Sequence, residues 1–257
     1  MTLIMLQGCG TLPNGRRWGE DATLTPGWNR IKESAVNAAL SPETWVPVAI
    51  SMGFMIDEID ERVSDWASNN NPLFGSQENA ANWSNYLAYG SGAAYLITSL
   101  ATPSGDNPSD WLEAKAKGLA LAVAVGGITE GSTSLIKDIS GRPRPDESND
   151  KSFLSGHASS AAVFTTLARR NLKSLSLSRR TRLFADIGIT ATAVGTGWAR
   201  VEANKHNPSD VLVGYALGHF LSVFINDAFL GLDHEKAPLL NIEPSDEGIS
   251  ISLNGSF

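Results

Sequence analysis

Residues 137–158 read KDISGRPRPDESNDKSFLSGHA, and the fold is decided by how this stretch is read. Gly141, Pro143 and Pro145 end one helix, and Ser155-Gly156 open the next, ahead of Ala161, Val163, Phe164 and Leu167 at helical spacing. Between them lies a loop with Arg142 and Arg144, six residues separating Lys137 from Arg144-Pro145. Further on, Arg200 is followed after five residues by His206, and His206 after three by Asp210. The chain has 4 histidines, and two of them, His157 and His206, fall in these stretches. A long helix, a cationic loop and a second helix describe a helical protein.

Working outward, helix-start signals recur. Thr25-Pro26, Ser41-Pro42-Glu43, Asn107-Pro108-Ser109-Asp110 and Asn207-Pro208-Ser209-Asp210 each set a capping residue before a proline at the first helical position. The spacing predicts helices over 27–39, 42–68, 77–101, 108–139, 155–172, 178–201 and 208–230. Val48, Met52, Met55, Ile56 and Ile59 keep the apolar period in the second. In the tail, Ile249, Ile251 and Leu253 alternate with polar residues, and Leu239–Ile242 pairs with them across 244–248 or else the end is loose. The prediction is an all-α chain, a single helical bundle over 25–235, with a leader and linker at 1–24 and a tail at 236–257.

Composition narrows the function. The chain is 42% hydrophobic and 18% charged, with a net charge of -7 and one cysteine. Disordered, collagen-like and disulfide-framework proteins are excluded, and a broad nucleic-acid surface is not expected. Residues 80–105 and 211–226 are the least charged runs, but asparagines and serines interrupt the first and His219 the second. Both read as buried helices of a water-soluble bundle rather than spans of about 20 apolar residues.

The three motifs together resemble the signature of the type 2 phosphatidic acid phosphatase superfamily, which includes class A acid phosphatases, lipid phosphatases and vanadium haloperoxidases. Leu154 stands where that signature has proline, and Ala199 where it has serine; neither change removes a charge or a proton carrier. The resemblance implies a bundle of the acid phosphatase and haloperoxidase type. It also implies hydrolysis of a phosphomonoester, on a small molecule or a lipid head group, through a phosphohistidine. His206 would attack phosphorus, and His157 would protonate the leaving oxygen and then activate water.

Residue by residue, the chemistry agrees. Transferring a phosphoryl group spreads charge over three oxygens, so positioning and positive charge do most of the work. Lys137, Arg144 and Arg200 supply three cations, and Ser155 and Gly156 supply a helix N-terminus for the oxyanion. Asp210 would fix the His206 tautomer and stabilise the cation formed on attack. Each residue also has a plainer reading: Lys137 as a helix C-terminal charge, Arg142 and Arg144 as solvated loop residues, Ser155 as an N-cap. Asp210 repeats the capping pattern of Asp110, where no histidine precedes it. His219 reads as core and His234 as loop.

Helices within 27–101 are expected at the pocket mouth, with Trp45, Trp83, Trp111 or Trp198 either shaping it or buried. No metal-binding pattern is visible, so no metal or cofactor is expected and vanadate should inhibit. The alternatives are a haloperoxidase, with vanadate as cofactor, and a non-catalytic envelope lipoprotein. Leu6-Gln7-Gly8-Cys9 after an apolar start resembles a bacterial lipobox. Cys9 is thus either a lipid anchor on a periplasm-facing envelope protein or an incidental residue.

Overall fold

A computed structural model describes residues 10–12 and 15–231 in full, and the backbone of 239–245 and 248–254. Cys9 and His234 lie outside the described residues. The described helices are α1 Trp28–Leu40, α2 Pro42–Phe54, α3 Ile59–Asn70, α4 Gln77–Ala101, α5 Pro108–Ser140, α6 Gly156–Lys173, α7 Arg179–Glu202 and α8 Pro208–Ile225. A π turn over Asn226–Leu230 extends α8. The expected all-α bundle is therefore present. Strands β1 Leu239–Ser245 and β2 Gly248–Asn254 run antiparallel, with Ile242 opposite Ile251 and Pro244 inside the ladder opposite Ile249.

Three of the start signals hold, at Pro42, Pro108 and Pro208. Thr25-Pro26 does not, because α1 starts behind Gly27. The helix expected over 42–68 is two helices, parted where Asp57 and Glu58 take left-handed φ angles of 51° and 57°. Gly53 lies in the last turn of α2, but no glycine or proline stands at residues 55–58 themselves, and acidic residues adopt this conformation only in special settings. The break turns α3 so that its first residues reach α8, a contact on which the site depends.

α6 is the axis of the bundle, packed by α4, α5, α7 and α8. Its Val163, Leu167, Ala168 and Leu172 share one core with Tyr95, Ala122, Val125, Ile189 and Ile225. Small residues let α8 come close: a Cβ on Gly214 would lie 2.8 Å from the Ser155 carbonyl oxygen, and one on Gly218 2.2 Å from that of Ser159. Such separations are far below van der Waals contact, so this crossing requires glycine. It brings the start of α6, with His157, beside the start of α8, with Asp210.

Two features go beyond the sequence reading. Trp18, in the segment read as leader and linker, is buried against Ala114 and Leu230. Gly118 makes room for its indole ring, and Lys115 lies 5.0 Å from the ring centre while donating to the carbonyls of Ser99 and Thr102 at 2.7 and 2.6 Å. The apolar helices are also not simply buried. α5 and the stretch Pro208–Leu230 are both long and apolar enough to cross a membrane. The apolar window of α5 is only 22% buried, and Val123 and Ile139 are each 75% exposed. The sequence reading overlooked α5 because Lys115, Lys117, Glu130 and Lys137 punctuate it.

Candidate active site

His206 lies between α7 and α8 and is 1% exposed. Its Nδ1 is 2.7 Å from the Ser152 carbonyl oxygen. A carbonyl only accepts, so Nδ1 carries the proton and the Nε2 lone pair is free. The Asp210 carboxylate is farther away, at 3.8 Å from Nδ1. The Ser152 carbonyl is therefore the nearer acceptor that fixes this tautomer, with the expected Asp210 carboxylate behind it on the same side of the ring. Asp210 contributes charge from behind while Oδ2 accepts from Ser152 Oγ at 2.6 Å and the Asn207 amide at 2.9 Å. Burial opposes the Asp210 charge, but His206, Ser152, Arg142 and the Asn207 amide outweigh it and lower its pKa.

Burial does most to lower the His206 pKa, to about 4; Asp210 pulls the other way and Arg200 and Lys137 lower it further. His157, at the start of α6, is likewise pushed to about 4, first by burial and then by the charges of Arg200, His206, Lys137 and Arg144. Both imidazoles and all three expected cations therefore lie within electrostatic range of one another. His157 Nε2 lies 2.8 Å from Asn85 Oδ1 on α4.

The cations crowd one another. Burial and then Arg144 lower the Arg200 pKa to about 10; burial and Arg144 also lower that of Lys137, with Glu130 opposing. The Nε atoms of Arg144 and Arg200 are buried without a hydrogen-bond partner. Arg200 reaches Ser84 Oγ only at 3.4 Å. Buried like charges with unused donors are costly in isolation and suit a group that brings negative charge. Ser155 caps α6, its Oγ accepting from the Ala158 amide at 3.4 Å, while its own amide donates to the Asp210 carbonyl at 3.0 Å. Lys137 Nζ sits 3.5 Å from where a Gly156 Cβ would be, so the start of α6 and this cation are neighbours.

Sequence reasoning missed Ser84, Asn85 and Ser152, short polar residues that carry no motif, and treated Arg142 as solvated. Arg142 is held by Asp60 and Asp210, both at 2.9 Å. Trp45 and Trp83 are about half exposed, and Trp198 donates to Glu202. Among the described residues no group of His, Cys, Asp and Glu is arranged to hold a metal ion. Beside the site, α4, α5 and α6 enclose a groove of about 660 Å³, lined by Tyr95, Leu96, Leu119, Val123 and Phe164. Glu130 lies at this groove and 3.8 Å from the Gly156 Cβ position, so groove and site adjoin.

Two histidines beside a cluster of cations with unused donors on a helical bundle have the charge to suit a tetrahedral anion. The sequence model of the PAP2 superfamily matches residues 115–230, a span that contains all three motifs, and the resemblance read from them holds. No curated protein matches the chain. Among solved structures, the fold is similar to the crystal structure of the first transmembrane PAP2 type phosphatidylglycerolphosphate phosphatase from Bacillus subtilis. The TM-score is 0.51 at 22% identity, covering 72% of this chain and 92% of that one.

Proposed function

We propose that the chain is a phosphatase that works through a covalent phosphohistidine on His206. The observation that carries this reading is the His206 tautomer, with Nδ1–H bound to the Ser152 carbonyl and Nε2 left to attack. Nε2 donates its lone pair to phosphorus as the bond from phosphorus to the leaving oxygen breaks. His157 gives that oxygen a proton. Water then attacks phosphorus, His157 takes its proton, and the phosphorus–nitrogen bond breaks to return neutral His206. Arg144, Arg200, Lys137 and the Gly156 amide hold the equatorial oxygens. A dianionic phosphate offsets the cations that depress His157, so substrate binding favours its protonated, acid-competent form.

Three fixed cations do the work that a metal ion does elsewhere, and the reaction proceeds in chelator. The apolar groove favours a phosphate ester with an apolar body, such as a lipid phosphate, over a small polar ester. The bacterial phosphatase with a similar fold is named for a lipid phosphate of this kind. An envelope lipoprotein anchored through Cys9 would place the site near such lipids.

The test is hydrolysis of an aryl phosphate in EDTA, with orthovanadate as inhibitor and His206→Ala and His157→Ala as variants. We expect turnover in the parent, loss of ~10³-fold or more in each variant, and inhibition by vanadate. Equal rates in parent and variants, or complete loss on chelation, would sink the mechanism. Halide oxidation by peroxide after vanadate loading would instead mark a haloperoxidase. Gly126 lines the groove and has open space around it, so Gly126→Phe should slow a long-chain lipid phosphate and spare the aryl ester.

A further inference from the structure

We infer that Arg142 is a positioning residue for His206, holding it in its attacking orientation and balancing the charge of Asp210 behind it. Two routes join them. Through its backbone, the Arg142 carbonyl accepts from the Ser152 amide at 2.9 Å, and the Ser152 carbonyl holds His206 Nδ1–H. Through its side chain, Nη1 donates to Asp210 Oδ1 at 2.9 Å and to Ser209 Oγ at 2.8 Å. The other end of the guanidinium is fixed from α3, where Nη2 donates to Asp60 Oδ2 at 2.9 Å and Glu61 Oε1 at 3.2 Å.

Asp60 itself is fully buried and also accepts from the Ser209 amide at 2.9 Å and from the Ser209 hydroxyl. α3 thus grips the first turn of α8 both directly and through Arg142. Only a planar fork can serve both carboxylates in this geometry.

The charge arithmetic gives the latch its purpose. A nucleophilic histidine must be neutral, yet a buried carboxylate lies 3.8 Å from its ring, and such a neighbour favours the imidazolium. Around His206 stand Lys137 of α5, His157 of α6, Arg200 of α7 and Asp210 of α8. Arg142 is the cation bonded to Asp210, so it weakens that carboxylate's pull on the ring. Burial works against the Arg142 charge, but Asp210, Asp60 and Glu61 outweigh it and raise its pKa. The guanidinium stays charged wherever the enzyme works.

The inference rests on His206 as nucleophile, so the test includes a measurement that needs no turnover. Ring titrations of His206 by NMR are compared in the parent, Arg142→Gln, Arg142→Lys and Asp60→Asn. Arg142→Gln should move the His206 midpoint upward by ~1 unit or more and carry the acid limb of kcat/KM with it. Arg142→Lys keeps the charge and should leave the midpoint near the parent's, while kcat falls about tenfold through lost orientation. Asp60→Asn keeps Arg142 on Asp210 and should lower kcat without raising the midpoint.

A residue that only props up the fold would reduce the folded fraction and leave the midpoint in place. That result in Arg142→Gln overturns the inference, as does parent-like kcat in both Arg142→Lys and Asp60→Asn. Should Arg142→Gln not fold, those two variants decide the question. A parent that titrates as described but hydrolyses no phosphate ester would refute the phosphatase reading and leave the latch standing.

Discussion

At the scale of single residues, two buried histidines and one half-buried histidine share one property. His157, His206 and His219 all have pKa values pushed to about 4, with burial as the first cause. His219 does no chemistry: Nε2 meets Ser41 Oγ at 3.0 Å and Nδ1 meets Thr166 Oγ1 at 2.9 Å, so it pins the start of α2 to α6 and α8 as a core residue. The consequence for stability has a definite sign. The unfolded chain takes up these protons near the ordinary histidine value of 6.5, whereas the folded chain does so only near 4. Stability is therefore fully present above about pH 6.5 and drains away as the pH falls toward 4. The slope is at most ~1.4 kcal/mol per pH unit for each histidine. Thermal unfolding from pH 7.5 to 4.5 should show a falling midpoint, and His219→Gln should flatten the fall relative to its own pH 7.5 value. A midpoint indifferent to pH in the parent would mean that these rings take up protons as readily in the fold as in the unfolded chain.

At the scale of elements, the close crossing of α6 and α8 sets the distance between the two histidine-bearing segments. Gly218→Ala would drive a methyl group into the Ser159 carbonyl, at 2.2 Å. The expected cost is ~1–3 kcal/mol in denaturant unfolding, with lower phosphatase turnover as the start of α8 shifts. Gly126 has nothing within 4 Å of its added Cβ, so Gly126→Ala should be neutral or stabilise by about 0.5–1 kcal/mol. Equal behaviour of the two variants would show that the crossing has slack. The helices themselves were readable because their signals are local: caps, prolines and apolar spacing fix α4 and α5 almost to the residue. The α2–α3 break was not, since left-handed Asp57 and Glu58 answer to packing rather than propensity. The site divides the same way. His157, His206 and the cations stand out as charged groups at set spacings. Ser152, Asn85 and the Asp60–Arg142 pair act across 54 to 82 residues of sequence, and short polar residues at such separations leave no pattern to read.

At the scale of the molecule, the balance of surfaces is unusual for a chain with a net charge of -7. Large apolar side chains stand in water on several helices: Tyr89 on α4, Val123, Leu135 and Ile139 on α5, Phe184 and Ile187 on α7. Isolated apolar residues are ordinary on any surface, but a 33-residue helix with so little of its apolar window covered offers a continuous face to a partner of low polarity. A lipid surface suits the groove beside the site, whose wall is this same α5. One lipid chain on Cys9 would by itself give only marginal attachment, and a second apolar contact would make it stable. With Cys9→Ser, so that no acyl chain is attached, the protein should still sediment with neutral phosphatidylcholine vesicles. Anionic vesicles should retain less of it at low salt, because its net negative charge opposes theirs, and added salt should close the gap by screening. Val123→Glu and Ile139→Glu together should lower the partition coefficient by about a hundredfold or more, as roughly 1.5–3 kcal/mol of burial is lost for each side chain. A Cys9→Ser protein that stays in the supernatant with both vesicle types would assign the exposed face of α5 to some contact other than lipid.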